Sequence, residues 1–161
     1  MMTTCLQLIN LLISVCLVGL YCNYTVKRRA AKTLNFTIDD NNTPVMTVIQ
    51  DDMELNFIID TGSSVSAIDA NSLNSIRSYK LSKTGQVVGI DGIPESVDYY
   101  EIPFSYNNYE YNHTFGVKDF SLAFKSVEEN LNKPIHGLIG SDFCNENGFI
   151  INFQTKEIHA N

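Results

Sequence analysis

The run Leu55-Asn56-Phe57-Ile58-Ile59 passes without a break into Asp60-Thr61-Gly62-Ser63. Five residues this apolar, rich in β-formers, read as a strand that enters a core. A carboxylate placed at the end of such a strand, followed by a small hydroxyl residue and a glycine, leaves the core at a tight turn. The chain is therefore restricted to folds in which a buried sheet carries one aspartate to its edge. The segments in front of the run agree. Leu34, Phe36 and Ile38 alternate with polar residues at a period of two, Asp39-Asp40-Asn41-Asn42 is a turn cluster, and Val45 to Gln50 is a second strand. Asp51-Asp52 then predicts a hairpin turn into Leu55 to Ile59.

The same texture continues downstream. Strands are expected at Ser66 to Ile68, Gln86 to Ile90, Ser96 to Ile102, Phe104 to Tyr106 and Tyr109 to Val117, with turns at Asp91-Gly92 and Asn107-Asn108. Asp69 to Ile76 reads as a short helical turn with Asp69 as its cap, and Leu122 to Phe124 as short and extended. Ser141 to Asn147 predicts one short helix closed by Gly148, and Phe149 to Phe153 and Glu157 to His159 are closing strands around Gln154-Thr155-Lys156. Many short strands with regular turns imply an all-β barrel or sandwich. No internal repeat interrupts the pattern.

Charge and cysteine usage narrow the function. Formal net charge is -7 over 161 residues, so no nucleic-acid partner is expected, because phosphate binding needs a basic face. Cys5, Cys16 and Cys22 lie in or beside an apolar N-terminal run, and Cys144 alone lies in the body. That distribution supports neither a zinc site nor a disulfide framework, and no cofactor or metal is expected. The run itself, within residues 1–22, has the length of a membrane-crossing helix and no preceding Lys or Arg. Lys27, Arg28, Arg29 and Lys32 follow it. A single-pass anchor with the body facing the cytoplasm fits this charge bias better than a cleaved signal peptide, whose basic leader is missing. Residues 1–22 are thus read as anchor, 23–32 as a basic linker and 33–161 as the working domain. The Asn-x-Thr sequons at Asn23, Asn35, Asn41 and Asn112 are not read as evidence of secretion, since roughly two or three would arise by chance in so Asn-rich a chain.

A second motif lies further along, His136-Gly137-Leu138-Ile139-Gly140-Ser141-Asp142-Phe143. Either motif alone is compatible with an ordinary turn or an ordinary buried strand. Together, an Asp-Thr-Gly after an apolar strand and an apolar-apolar-Gly downstream resemble the aspartic proteases, specifically the single-domain retroviral-type (retropepsin-like) family. The resemblance covers roughly Thr33 to His159 and implies a closed β-barrel with one short C-terminal helix. It implies Asp60 as the catalytic residue, with Thr61, Gly62 and Ser63 forming its loop. Gly62 would permit the turn, Thr61 would bond across a dimer and Ser63 would hydrogen-bond the outer carboxylate oxygen. It also implies that Ser64 begins the substrate wall, that Leu138, Ile139 and Gly140 pack behind the loop, and that Val87 to Pro94 forms a flap whose Gly89, Ile90, Asp91 and Gly92 meet the substrate.

The chemistry needs two carboxylates sharing one proton, one activating water and the other polarising the amide carbonyl. This chain has a single Asp-Thr-Gly, so a working pair needs two copies, each giving Asp60 across a two-fold axis. The expected function is a homodimeric, membrane-tethered endopeptidase acting on peptides or proteins. The alternative is a catalytically weak module of the same fold that binds peptides or only dimerises. His113 and His136 suggest a hydrolase triad at first sight, but no Gly-x-Ser-x-Gly elbow accompanies them, and His136 is read as surface or structural.

Overall fold

Asp51 and Asp52 both take positive φ, 48° and 66°, which gives the two-residue hairpin turn whose twist matches its strands. It joins β2 (Pro44–Gln50) to β3 (Met53–Ile59) in antiparallel register, with Val48 opposite Leu55 and Met46 opposite Phe57. The computed structural model describes residues 33–88 and 92–160, together with Ser14 and Cys16. The expected anchor and basic linker otherwise lie outside the described residues, and among these no helix is long and apolar enough to cross a membrane.

The remaining strands are β1 (Leu34–Ile38), β4 (Ala67–Asp69), β5 (Tyr79–Val88), β6 (Pro94–Tyr106), β7 (Tyr109–Lys118), β8 (Gly137–Ile139), β9 (Phe149–Asn152) and β10 (Glu157–Ala160). Six of them close a barrel in the order β2, β3, β8, β4, β7, β6. The seam between β6 and β2 is a single pair, Ile49 with Ser105, reinforced by the Ser105 hydroxyl donating to the Ile49 carbonyl at 3.3 Å. β5 continues outward from β6, and β1, β10 and β9 continue from β2.

Alternation along these strands fills the barrel. Phe57, Phe104, Phe115 and Phe143 are fully buried, and Phe57 stacks on Phe115 with ring centroids 5.3 Å apart. Leu34, Met46, Val48, Leu55, Ile102 and Ile158 join the same core. Gln50 is buried among them at no polar cost. Its amide donates to the carbonyls of Arg77 and Pro103 and accepts from the Arg77 N–H at 2.7 Å.

Three expectations need correction. Ser96 to Ile102 and Phe104 to Tyr106 are not two strands but one, β6, which runs through Pro103 opposite Asn112. The segment around Leu122 to Phe124 is not extended. It lies in α1 (Ser121–Leu131), an eleven-residue helix. Consequently the barrel carries two α-helices rather than one, the second being α2 (Ser141–Asn147), which Gly148 closes at φ 62°. Tertiary packing decides α1: Phe124 is buried with Val45 and Ile135, and Phe120, Val127 and Leu131 pack around them. The turn after Asp69 is a short 3₁₀ segment, Ser72–Asn74, and Asp69 serves it from outside by accepting the Asn71 N–H at 3.1 Å.

Candidate active site

β3 ends where Asp60 begins, and its neighbour β8 runs parallel to it with Ile59 beside Ile139. The Asp60 N–H donates to the Ile139 carbonyl at 2.9 Å, so the ladder holds the aspartate backbone while the side chain emerges into solvent. The following loop folds back on the carboxylate. The Gly62 N–H donates to Asp60 Oδ1 at 2.9 Å and the Ser63 N–H to the Asp60 carbonyl at 3.1 Å. A Cβ on residue 62 would sit 3.1 Å from that same Oδ1, tight enough to push the carboxylate away.

The Ser63 hydroxyl does not turn to the carboxylate as expected but donates to the Val65 carbonyl at 2.7 Å. The Ser63 carbonyl in turn accepts from both the N–H and the hydroxyl of Ser141, at 2.9 and 3.0 Å. The Asp60 loop is thus tied to the start of α2. Leu138, Ile139 and Gly140 form and follow β8 behind it, between β3 and β4. Gly140 is required for closeness, because a Cβ there would lie 2.8 Å from the Val65 carbonyl carbon.

A network that sequence reasoning missed holds this arrangement from beneath. Ser66 is fully buried, and its hydroxyl donates to Asp142 Oδ1 at 2.6 Å while accepting from the Gly140 N–H at 2.9 Å. Its own N–H donates to Asp142 Oδ2 at 2.8 Å. His113 Nε2 lies 3.0 Å from the Ser66 hydroxyl and 3.5 Å from Asp142 Oδ2, and its Nδ1 lies 3.0 Å from Glu146 Oε2 without making a hydrogen bond. Burial pushes the Asp142 carboxyl up, but the bonds from His113 and Ser66 outweigh it and hold the group at about 2. A Ser-His-Asp trio is therefore present, and it is not a nucleophilic triad. Ser66 is sealed from solvent and gives its proton to the carboxylate rather than to the histidine.

His136, expected to be surface or structural, is buried and structural. Its Nδ1 accepts the Asn56 N–H of β3 at 3.1 Å, and the His136 backbone N–H donates to the Asn56 carbonyl at 2.8 Å. Burial first of all holds its pKa below the usual value, although the Asn56 contact and two nearby carboxylates pull the other way. Cys144 is half-buried against the core, and burial pushes its thiol up.

Asp60 opens into a cavity of about 420 Å³. Its walls come from Val65 and Ala67 after the loop, Leu138 of β8, and Val87, Val88 and Val97 of the β5–β6 hairpin. Thr61 and Ser64 are exposed beside it, and the wall is formed by Val65 in place of the expected Ser64. Gly89, Ile90 and Asp91 of the expected flap lie outside the described residues. Gly92 is exposed with φ 73°, a left-handed value that suits a hairpin tip. Lys118 and Phe120 complete the cavity, and neither stood out in the sequence.

No family model and no curated protein matches the chain. Among solved structures it is similar to retropepsin-like aspartic proteases. One is EIAV protease in complex with an inhibitor, at 17% identity and a TM-score of 0.47, over 70% of this chain and 94% of that one. Another is a retropepsin-like aspartic protease from Rickettsia conorii, at 13% identity and a TM-score of 0.47, over 80% of this chain and 90% of that one.

Proposed function

We propose that the chain is an aspartic endopeptidase that works as a homodimer. The observation that carries this reading is the placement of Asp60. A solvent-facing carboxylate stands at the end of a buried strand, on a loop hydrogen-bonded to β8 and to the start of α2, at the mouth of a largely apolar cavity. One chain offers one such aspartate. A second copy related by a two-fold axis would bring another Asp60 beside the first. Two carboxylates a few ångströms apart cannot both ionise, so the pair shares a proton. The ionised member takes a proton from water as it attacks the scissile carbonyl. The protonated member gives its proton to the carbonyl oxygen; as the tetrahedral intermediate breaks down, the member that took the water's proton passes it to the leaving nitrogen, and the other takes one back from a hydroxyl of the intermediate.

The apolar wall of Val65, Ala67, Val97 and Leu138 supports this use, since it would desolvate an aliphatic or aromatic substrate side chain next to the reacting carboxylates. The hairpin arms at Val87 and Val88 support closure over an extended peptide, with water shut out during the reaction. We further infer a single-pass anchor at residues 1–22 and a cytoplasm-facing body. Tethering to a plane raises the local concentration of copies and favours pairing.

Cleavage of a diverse peptide library by the full chain, from pH 4 to 7, tests the reading beside Asp60→Asn. Activity in the wild type and its loss in the variant, with dimerisation retained, is the expected result. Equal cleavage by both proteins would overturn it.

A further inference from the structure

Among the described residues that line the cavity, Lys118 and Asp60 are the two that carry charge. Lys118 ends β7, where the parallel pairing of Asp69 with Lys118 brings it beside β4 and the loop of Asp60. The Ala70 N–H, next in line after β4, holds that pairing by donating to the Lys118 carbonyl at 2.9 Å. The backbone that carries the cation is therefore fixed beside a largely apolar chamber. Its partner inside the chain is Glu95, the second residue of β6, with Nζ and Oε2 2.8 Å apart. Both side chains keep solvent contact, 37% for Lys118 and 50% for Glu95. An ion pair this open is worth little, so a carboxylate brought by a ligand can replace Glu95 without a large penalty.

An apolar chamber with one cation at its rim discriminates by charge at one position. A neutral or basic side chain brought to that rim leaves Lys118 with Glu95 or meets repulsion. An acidic side chain takes the cation, and Glu95 swings into water. The chain's net charge of -7 works against an acidic ligand as a whole, so a preference for Glu over Gln at one position has to come from a local contact. We propose that the cavity beside Asp60 selects peptides carrying an acidic side chain at one fixed position, read by Lys118 in competition with Glu95. The inference deepens the endopeptidase reading and rests on it for the identity of the ligand as a peptide.

The test uses the full chain carrying Asp60→Asn, which leaves peptides uncut, and fluorescein-labelled peptides with an aliphatic-aromatic centre. Glu, Gln or Lys is placed at each flanking position in turn, and binding is read by anisotropy. One position is expected to prefer Glu over Gln by about fivefold, the upper range of an exposed ion pair. Adding Lys118→Met should erase that preference. Adding Glu95→Gln should enlarge it, and a gain of function of this kind does not arise from misfolding. Cleavage of the same peptides by the wild type separates the two readings. Glu selectivity in binding without any Asp60-dependent cleavage leaves this inference standing and removes the peptidase. Asp60-dependent cleavage with equal use of Glu and Gln, or selectivity that survives Lys118→Met, overturns the inference and leaves the peptidase. Absence of peptide binding overturns it too.

Discussion

At the scale of single residues, buried His136 and partly buried Asp142 tie the site to pH in the same direction. His136 has its pKa held down in the fold, chiefly by burial, so the unfolded chain takes up a proton first as pH falls. Its contribution is full above about 6.5 and is lost below that, because the buried ring resists taking up the charge that the unfolded chain accepts. Asp142, held at about 2 against an ordinary 3.8, contributes fully above 3.8 and loses its share between those values. That share is roughly 2 kcal/mol. Urea unfolding at pH 7.5 and 5.5 should show lower stability at the acid value. His136→Asn, which keeps an acceptor near Nδ1 and removes the titration, should flatten that difference. An unchanged slope in the variant would remove His136 as its cause. At the same scale, Gly140→Ala should cost about 1–3 kcal/mol, because the new methyl meets the Val65 backbone rather than a flexible side chain. Thermal unfolding of the variant reads the loss directly.

At the scale of elements, what was legible followed from local chemistry. Asp51-Asp52 and Asn107-Asn108 are turns because these residues tolerate positive φ, and all four adopt it. The β1 alternation of Leu34, Phe36 and Ile38 and the helix of Ser141 to Asn147 were readable for the same reason. α1 was not, because its start lacks the usual marks. Phe120 stands at the cap without a side-chain bond, and the first turn has no acidic residue. The available signal was the spacing of Phe120, Phe124, Val127 and Leu131, which falls on one helical face and is the face that packs. That contact predicts the cost of breaking it. Phe124→Ala should lower stability by about 3 kcal/mol. Hydrogen exchange should quicken in α1 and around Ile135, whose N–H is held by Glu128 of the same helix at 2.9 Å. Loss of protection spread evenly over the barrel would instead mean that α1 and the barrel unfold together.

At the scale of the whole molecule, Asp60 and its loop could be read from one stretch of sequence, but the Ser66, His113 and Asp142 network could not. Ser66 is 47 residues from His113 and 76 from Asp142, and only barrel closure brings them under the loop. The consequence of having one Asp60 per chain belongs to this scale as well. If the dyad spans two copies, activity per chain should fall on dilution, because dissociation removes the site altogether. Mixing gives a sharper readout. Wild type and Asp60→Asn, allowed to exchange subunits at equal amounts, form homodimers and heterodimers in random proportion. Only the pairs with two aspartates cleave, so activity should drop to roughly a quarter of that of the same total of wild type, rather than to half. Half would mean that each chain works alone, and roughly three quarters that one aspartate per pair suffices. The quadratic fall therefore reports the two-fold pairing itself, separately from any question of which peptide is cut.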